Sequence, residues 1–173
     1  MIKETVVVTL IGPDKIGIVQ TISNTVAHHG ANWLNSSMAN LAGQFAGILE
    51  IEVDPEQREA LLSDLNSIEG SSLQIQTATL VSASISAQRQ VTLELLGQDH
   101  PGIVQEISRA LTLLNLSIEE LKTSTENAPM SGGTLFRAFA TLNIPVDMSS
   151  DRIQDLQHEL SQSLMADVTI SES

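Results

Sequence analysis

Two short segments combine a carboxylate with a glycine just ahead of a predicted helix. Residues 12–18 read Gly-Pro-Asp-Lys-Ile-Gly-Ile, and residues 97–103 read Gly-Gln-Asp-His-Pro-Gly-Ile. The first amide groups of a helix have no acceptor inside that helix and carry partial positive charge, so they can receive a ligand carboxylate. The neighbouring Asp could accept a hydrogen bond from an ammonium group, and the Gly lets a ligand approach the backbone closely. Such a turn suits a free amino acid, which carries both charges.

The same residues also have an ordinary structural interpretation. Asp ahead of a helix most often caps it, and Gly most often serves the turn itself. Repetition does not decide between the two interpretations, because a duplicated module duplicates its caps as well. Both remain open at the level of the residues.

The chain contains an internal repeat. Residues 11–23 align with residues 96–108 at a constant offset of 85, with Gly, Asp, Gly, Ile, Val, Gln, Ile and Ser identical. The offset reaches 90 when Pro55 is matched to Pro145, which predicts a five-residue insertion within the loop at residues 127–133. We therefore predict two modules, at residues 1–81 and 91–173, joined by a small, polar linker at residues 82–90.

Each module is predicted to follow the order β-α-β-β-α-β. The second helix of the first module is expected to begin after Asp54, with Asp54 as a side-chain cap, Pro55 in the first turn and Gln57 closing a capping box. This order predicts an α+β protein of two ferredoxin-like modules, each an antiparallel four-stranded sheet with both helices on one face. The first strand is apolar on both faces, so we expect another module or another chain to cover part of the open face. The predicted strands span residues 5–11, 32–40, 45–53, 73–80, 91–96, 117–125, 135–144 and 167–170, and the predicted helices span residues 17–29 and 102–114 and begin near residues 54 and 149.

Composition narrows the classes of function. The 173 residues carry a formal net charge of −13, which disfavours direct contact with a nucleic-acid backbone. RNA-recognition modules share this element order, but they need exposed aromatic residues, and this chain has no Tyr. There is no Cys, signal-peptide pattern or long apolar run, so we expect a cytoplasmic protein without a membrane partner.

No residue pattern predicts catalysis, a metal site or a cofactor. The histidines (His28, His29, His100 and His158) are not spaced as metal ligands, and no nucleophile–base pair or phosphate-binding loop is present. His100 lies within the second turn and could contact a ligand there. We therefore expect a protein that is not an enzyme.

The turn motif resembles that of an ACT domain. Asp-x-x-Gly-Ile-Val follows the first strand, and residues 30–33, Gly-Ala-Asn-Trp, are similar to the Gly-x-Asn-Ile pattern of that family. The resemblance covers the whole chain as a tandem pair with no catalytic domain. That layout is similar to the glycine cleavage system transcriptional repressor group.

The resemblance implies that ligands bind between paired modules, against the turn between the first strand and the first helix and against the start of the second strand. Ile16 departs from the Pro that the family often has before the turn Gly, whereas Pro101 conforms, and Ser117 replaces the Asn of the second strand. The two sites are therefore expected to differ, with the first favoured for polar contacts. The implied ligand-binding residues are Asp14, Gly17, Ile18 and Asn32 in the first module and Asp99, Gly102 and Ile103 in the second, to which the turn adds His100.

The resemblance also implies a function. We expect an amino-acid-binding regulator, with glycine as one possible ligand, that controls transcription of amino-acid or glycine metabolism as a repressor accessory. It would act as a homodimer through a protein partner such as a transcription factor. The alternative is a structural protein–protein interaction module that senses no ligand.

Overall fold

The computed structural model describes residues 3–68, 74–79, 88–128 and 132–172. The chain divides into two compact units, Met1–Ala83 and Ser84–Ser173. Each unit has its own cluster of buried hydrophobic residues.

The first unit is a four-stranded antiparallel sheet with the strand order β2-β3-β1-β4. Both helices lie on one face of this sheet, where alternate residues of β1 (Val6, Val8 and Leu10) pack against Ile18 and Ile22 of α1. The elements are β1 (Glu4–Pro13), α1 (Ile18–His28), β2 (Asn32–Leu41), β3 (Gln44–Val53), α2 (Pro55–Asn66) and β4 (Gln74–Thr79).

The second unit repeats this topology, with the strand order β6-β7-β5-β8. The first helix of this unit buries Ile103, Ile107 and Leu111, and the second helix buries Ile153 and Leu156. Both sets have the spacing of one face of a helix. The prediction of two ferredoxin-like α+β modules is confirmed. The elements are β5 (Gln88–Gln98), α3 (Ile103–Leu113), β6 (Ser117–Asn127), β7 (Thr134–Pro145), α4 (Ser150–Leu164) and β8 (Asp167–Glu172).

The strand register corrects the size of the insertion. Gly12 pairs with Phe45, and Gly97 pairs with Phe136, so the offset beyond the hairpin is 91. The second hairpin is therefore six residues longer than the first, not five. Matching Pro55 to Pro145 was misleading, because Pro55 begins a helix whereas Pro145 ends a strand.

Two further expectations need adjustment. Strand β5 begins at Gln88, so residues 88–90 of the predicted linker form strand, and residues 82–87 lie outside the described part of the chain. The capping box at α2 is wrong, because the Asp54 side chain makes no cap hydrogen bond. The Gln57 amide N–H bonds to the Asp54 carbonyl instead, and the Gln57 side chain lies near His29.

Candidate functional site

The two β–α turns have the backbone shape that the glycines predicted. Gly17 has φ +86° and Gly102 has φ +96°, in the left-handed region that residues with a Cβ avoid. Each Gly is the N-cap of the helix that follows, and no side chain caps that helix. The Asp of each turn therefore does not act as a helix cap, which removes the ordinary structural interpretation proposed for it.

In each helix the amide of the first residue, Ile18 or Ile103, bonds to the carbonyl of Lys15 or His100 at 3.3 Å, and the two amides that follow it remain available. The Thr21 amide bonds to the Gly17 carbonyl at 2.9 Å, and the Glu106 amide bonds to the Gly102 carbonyl at 3.0 Å, as the helical ladder begins. Ahead of these residues, the amides of Val19 and Gln20 and of their repeat partners have no hydrogen-bond acceptor within the described ranges. They are the groups that a ligand carboxylate would occupy.

Asp14 is tied to the β2–β3 hairpin. Its amide donates to the Gly43 carbonyl at 2.9 Å, and its Oδ2 accepts from the Asn40 side-chain amide at 2.5 Å. The hairpin turn itself is formed by Ala42 and Gly43, both with positive φ. Asp14 is exposed beyond these contacts, so its carboxylate is held in one orientation while it still faces solvent.

Asp99 is anchored through its backbone. Its amide donates to the Thr134 carbonyl at 2.8 Å, as the Asp14 amide does to Gly43. The repeat position of Asn40 is Thr125, and no hydrogen bond to the Asp99 carboxylate is present among the described residues. The two turns therefore differ in how firmly the carboxylate is oriented.

His100 lies over the first turn of α3. Its Nε2 is 3.6 Å from a Glu106 carboxylate oxygen, and its Nδ1 is 3.2 Å from the Pro101 carbonyl. The ring is exposed, so His100 stays a candidate contact rather than an established one.

The side chains of Ile18 and Ile103 are buried and do not face a ligand at the turn. They are 8% and 6% exposed and belong to the core of their units, because the first inward position of each helix points at the sheet. Only their backbone groups face the turn. Their side chains contribute to the site by fixing the helix on the sheet.

Asn32 lies far from Asp14 within the first unit. It pairs with Glu52 at the start of β2, whereas Asn40, the partner of Asp14, lies eight residues further along the same strand. At about 3.3 Å per residue the two ends are about 26 Å apart. Asp14 and Gly17 belong to the same turn, whereas Asn32 is not brought to them inside one unit.

A cavity of about 400 Å³ lies beside the second turn, and sequence reasoning missed it. Strand β8 starts at Asp167, opposite Leu96, so Gly97 and Gln98 extend past it and leave a notch at the end of the sheet. Ser161 and Asp167 add polar groups to its wall. No sequence signal marks this notch, because it depends on where two strands end relative to each other.

The described residues form neither a metal site nor a membrane-spanning helix. No group of three or more His, Cys, Asp or Glu side chains is placed to hold a metal ion there. None of the described helices has both the length and the apolar character required to span a bilayer.

A family comparison finds a match in the first unit. The ACT domain model matches residues 4–77, which run from β1 into β4 and include the Asp14 turn. The first unit therefore resembles an ACT domain. The second unit repeats its strand order and helix positions, so the chain consists of two ACT-like modules.

Two solved structures are similar to this chain over nearly its full length. A protein of unknown function from Galdieria sulphuraria is 28% identical, with 99% of each chain covered and a TM-score of 0.85. A candidate glycine cleavage system transcriptional repressor is 15% identical, with 99% of this chain and 98% of that one covered and a TM-score of 0.70, which shows a shared fold. No curated protein matches this sequence.

Proposed function

We propose that this protein is a cytoplasmic, amino-acid-binding regulator, acting on the transcription of amino-acid or glycine metabolism through a protein partner. One observation carries the proposal: the turn that precedes α1 carries an oriented carboxylate, Asp14, and the helix that follows begins with acceptor-free amides at Val19 and Gln20. A free amino acid has the two complementary groups. Its carboxylate would receive the amides, and its ammonium group would donate to Asp14.

A second copy of the chain would complete this site. β2 is an edge strand of the first sheet, and none of its ten residues is charged. Its repeat counterpart β6 carries Glu119, Glu120, Lys122 and Glu126, charges of the kind that discourage pairing at a sheet edge. Pairing of copies is therefore favoured at β2 and disfavoured at β6.

Antiparallel pairing of two β2 strands accounts for the position of Asn32. In that arrangement the start of one strand lies beside the end of the other, so Asn32 of one copy comes close to Asn40 and Asp14 of its partner copy. Residues that lie about 26 Å apart inside one unit would thereby come together between two copies. We propose a homodimer in which each ligand contacts both chains.

Regulation of transcription would require a protein partner. The net charge of −13 repels a phosphate backbone, so the protein itself is not expected to bind DNA. The candidate repressor that shares the fold supports a role of this kind. A transcription factor that reads the change in pairing upon ligand binding is the type of partner that we propose.

The direct test is thermal unfolding of the full chain with each of the common amino acids, including glycine. A ligand that binds only the folded state, added at 100 times its Kd, stabilises the protein by about 2.7 kcal/mol. We expect at least one amino acid to raise the unfolding midpoint, with calorimetric titration giving its stoichiometry. If none raises it, amino-acid sensing is excluded.

The competing function is a structural interaction module without a ligand. It is favoured by the Asp14–Asn40 hydrogen bond, which gives Asp14 a role in holding the turn to the hairpin. In that case the pairing of copies, measured by sedimentation, would be the same with and without every amino acid tested. Ligand-dependent pairing would reject it.

A further inference from the structure

Strand β5 extends beyond its neighbour β8 and leaves part of its edge without a partner strand. The last pair between these two strands is Leu96 and Asp167, whereas Gly97 and Gln98 continue past it toward the turn. The notch at the end of the second sheet lies at this point, and its volume of about 400 Å³ is at the small end of ligand-binding pockets. The fold thus places a cavity directly against an open strand edge.

The hydrogen-bonding pattern shows which backbone groups of β5 face the notch. Successive residues of an inner antiparallel strand direct their N–H and C=O groups to opposite neighbours. The Asp99 amide donates to the Thr134 carbonyl, on the side of β7. The N–H and C=O groups of Gln98 therefore point to the other side, into the notch, where they have no backbone partner among the described residues.

The side chains around the notch suit a cation on an aliphatic stem. The Asp167 carboxylate has no ion pair or hydrogen bond within the described ranges, and none of the described residues that line the notch is Lys or Arg. Leu96 and Leu135 are half-buried in its wall, and Met165 is 90% exposed beside them. The side chains of Lys and Arg combine an apolar stem with a charged head, and so match both parts of this lining.

The first unit has different residues at the two polar positions. Pro13 occupies the place of Gln98 at the constant offset of 85, and Pro has no N–H to offer. Gln74 occupies the place of Asp167, because it pairs with the corresponding residue of β1. The backbone donor and the carboxylate of the notch are therefore not required by the fold that the two units share.

We propose that the notch binds a short extended segment of a partner protein that carries a Lys or Arg. One residue of this segment takes the place opposite Gln98, donates its N–H to the Gln98 carbonyl and accepts from the Gln98 N–H, as a longer β8 would. Side chains alternate along a strand, so this residue lies on the same face as Asp167, two positions away from it. The net charge of −13 attracts such a segment. The site lies in the second unit and does not depend on the amino-acid site proposed at the first turn.

The test is an NMR titration of the full, isotope-labelled chain with N-acetyl-lysine N-methylamide, which combines the backbone groups of one peptide residue with an ammonium group. We expect the amide signals of Leu96 and Ala166 to shift and to saturate as its concentration rises. N-acetyl-norleucine N-methylamide lacks only the ammonium group and should bind about 2- to 5-fold more weakly, because the pair with Asp167 is exposed. Free lysine lacks both amides and should leave these signals unchanged.

Two variants place the residues of the first unit in the second. Gln98→Pro removes the N–H that faces the notch without breaking a hydrogen bond of the sheet, and it should abolish the shifts. Asp167→Gln should lower the affinity for the lysine probe to that for the norleucine probe. Asp155→Gln is the matched control, because it removes an exposed carboxylate of the same unit that does not line the notch. The dispersion of the remaining amide signals confirms that each variant is folded.

The proposal is overturned if the lysine probe shifts neither signal, or if free lysine shifts them equally. It is also overturned if Gln98→Pro binds the probe as wild type does, or if Asp167→Gln and Asp155→Gln bind it equally. Stabilisation of the chain by free amino acids is a separate measurement, so failure at the notch and failure of the proposed function are distinguishable.

Discussion

Asp14 shows how one side chain can hold a turn and still offer a charge. The Asn40 amide fixes one carboxylate oxygen, and the Gly43 carbonyl fixes the Asp14 backbone. An oriented carboxylate loses less conformational entropy when a ligand binds than a mobile one does. The first turn is therefore better prepared for an ammonium group than the second, where the described residues give the Asp99 carboxylate no hydrogen-bond partner.

At this scale we predict the effect of Asp14→Asn on amino-acid binding. Asn has nearly the same size and can still bond to Asn40, but it lacks the charge that an ammonium group requires. A hydrogen bond to a charged group contributes about 1.5–3 kcal/mol, so the Kd for the stabilising amino acid should rise by about 10-fold or more. Calorimetric titration measures this change.

Asp99→Asn provides the comparison from the repeated turn. If the first turn is the stronger site, Asp99→Asn should raise the Kd for the stabilising amino acid by less than Asp14→Asn does. Equal effects would mean that the two turns contribute equally, and an unchanged Kd in Asp14→Asn would remove Asp14 from the site.

The helices differ in how their N-termini are capped. α1 and α3 begin after glycines without a side-chain cap, which leaves the amides of their second and third residues without an acceptor among the described residues. α4 begins after Ser149, whose hydroxyl accepts from the Arg152 amide at 3.3 Å, so one of its amides is satisfied internally. The candidate turns are the two that end in a left-handed glycine, whereas α2 also lacks a side-chain cap but begins at Pro55.

At the element scale we predict that Ser149→Ala destabilises its helix more than Asp54→Ala does. Loss of the Ser149 cap should destabilise the first turn of α4 by about 1 kcal/mol. Asp54 makes no cap bond, so its loss should remove only the favourable charge at the N-terminus of α2, about 0.3–0.5 kcal/mol. Hydrogen exchange of the first-turn amides of each helix measures both, and a larger effect at Asp54 would contradict the cap assignment.

At the scale of the whole molecule, duplication has preserved the core and diversified the surfaces. Each buried cluster draws its residues from one unit alone. The edge strands have changed instead, because β2 is uncharged where β6 carries Glu119, Glu120, Lys122 and Glu126. The uncharged edge of the first unit is the one at which we propose that copies pair.

Separate cores predict separate effects of core mutations. Leu61 and Leu142 are both 0% exposed, one in each cluster, and truncation of either to Ala should cost about 2–5 kcal/mol. Hydrogen exchange by mass spectrometry should show the loss of protection in the unit that carries the substitution. Equal loss in both units for either variant would show that the two units unfold together.

The sequence alone determined the duplication, the order of the elements and the inward face of each helix. These features follow from local periodicity and from the self-similarity of the chain, which need no knowledge of distant contacts. Gly17 and Gly102 were equally predictable, because only glycine readily adopts the backbone that such a turn requires.

Only the tertiary structure decided which residues meet. It placed Asn40 on Asp14, moved Asn32 to the far end of the sheet, and put Ile18 and Ile103 in the cores. It also set the insertion at six residues, because strand register depends on cross-strand pairing rather than on the likeness of two prolines. Contacts between strands distant in sequence are fixed by packing of the whole sheet, and no local pattern encodes them.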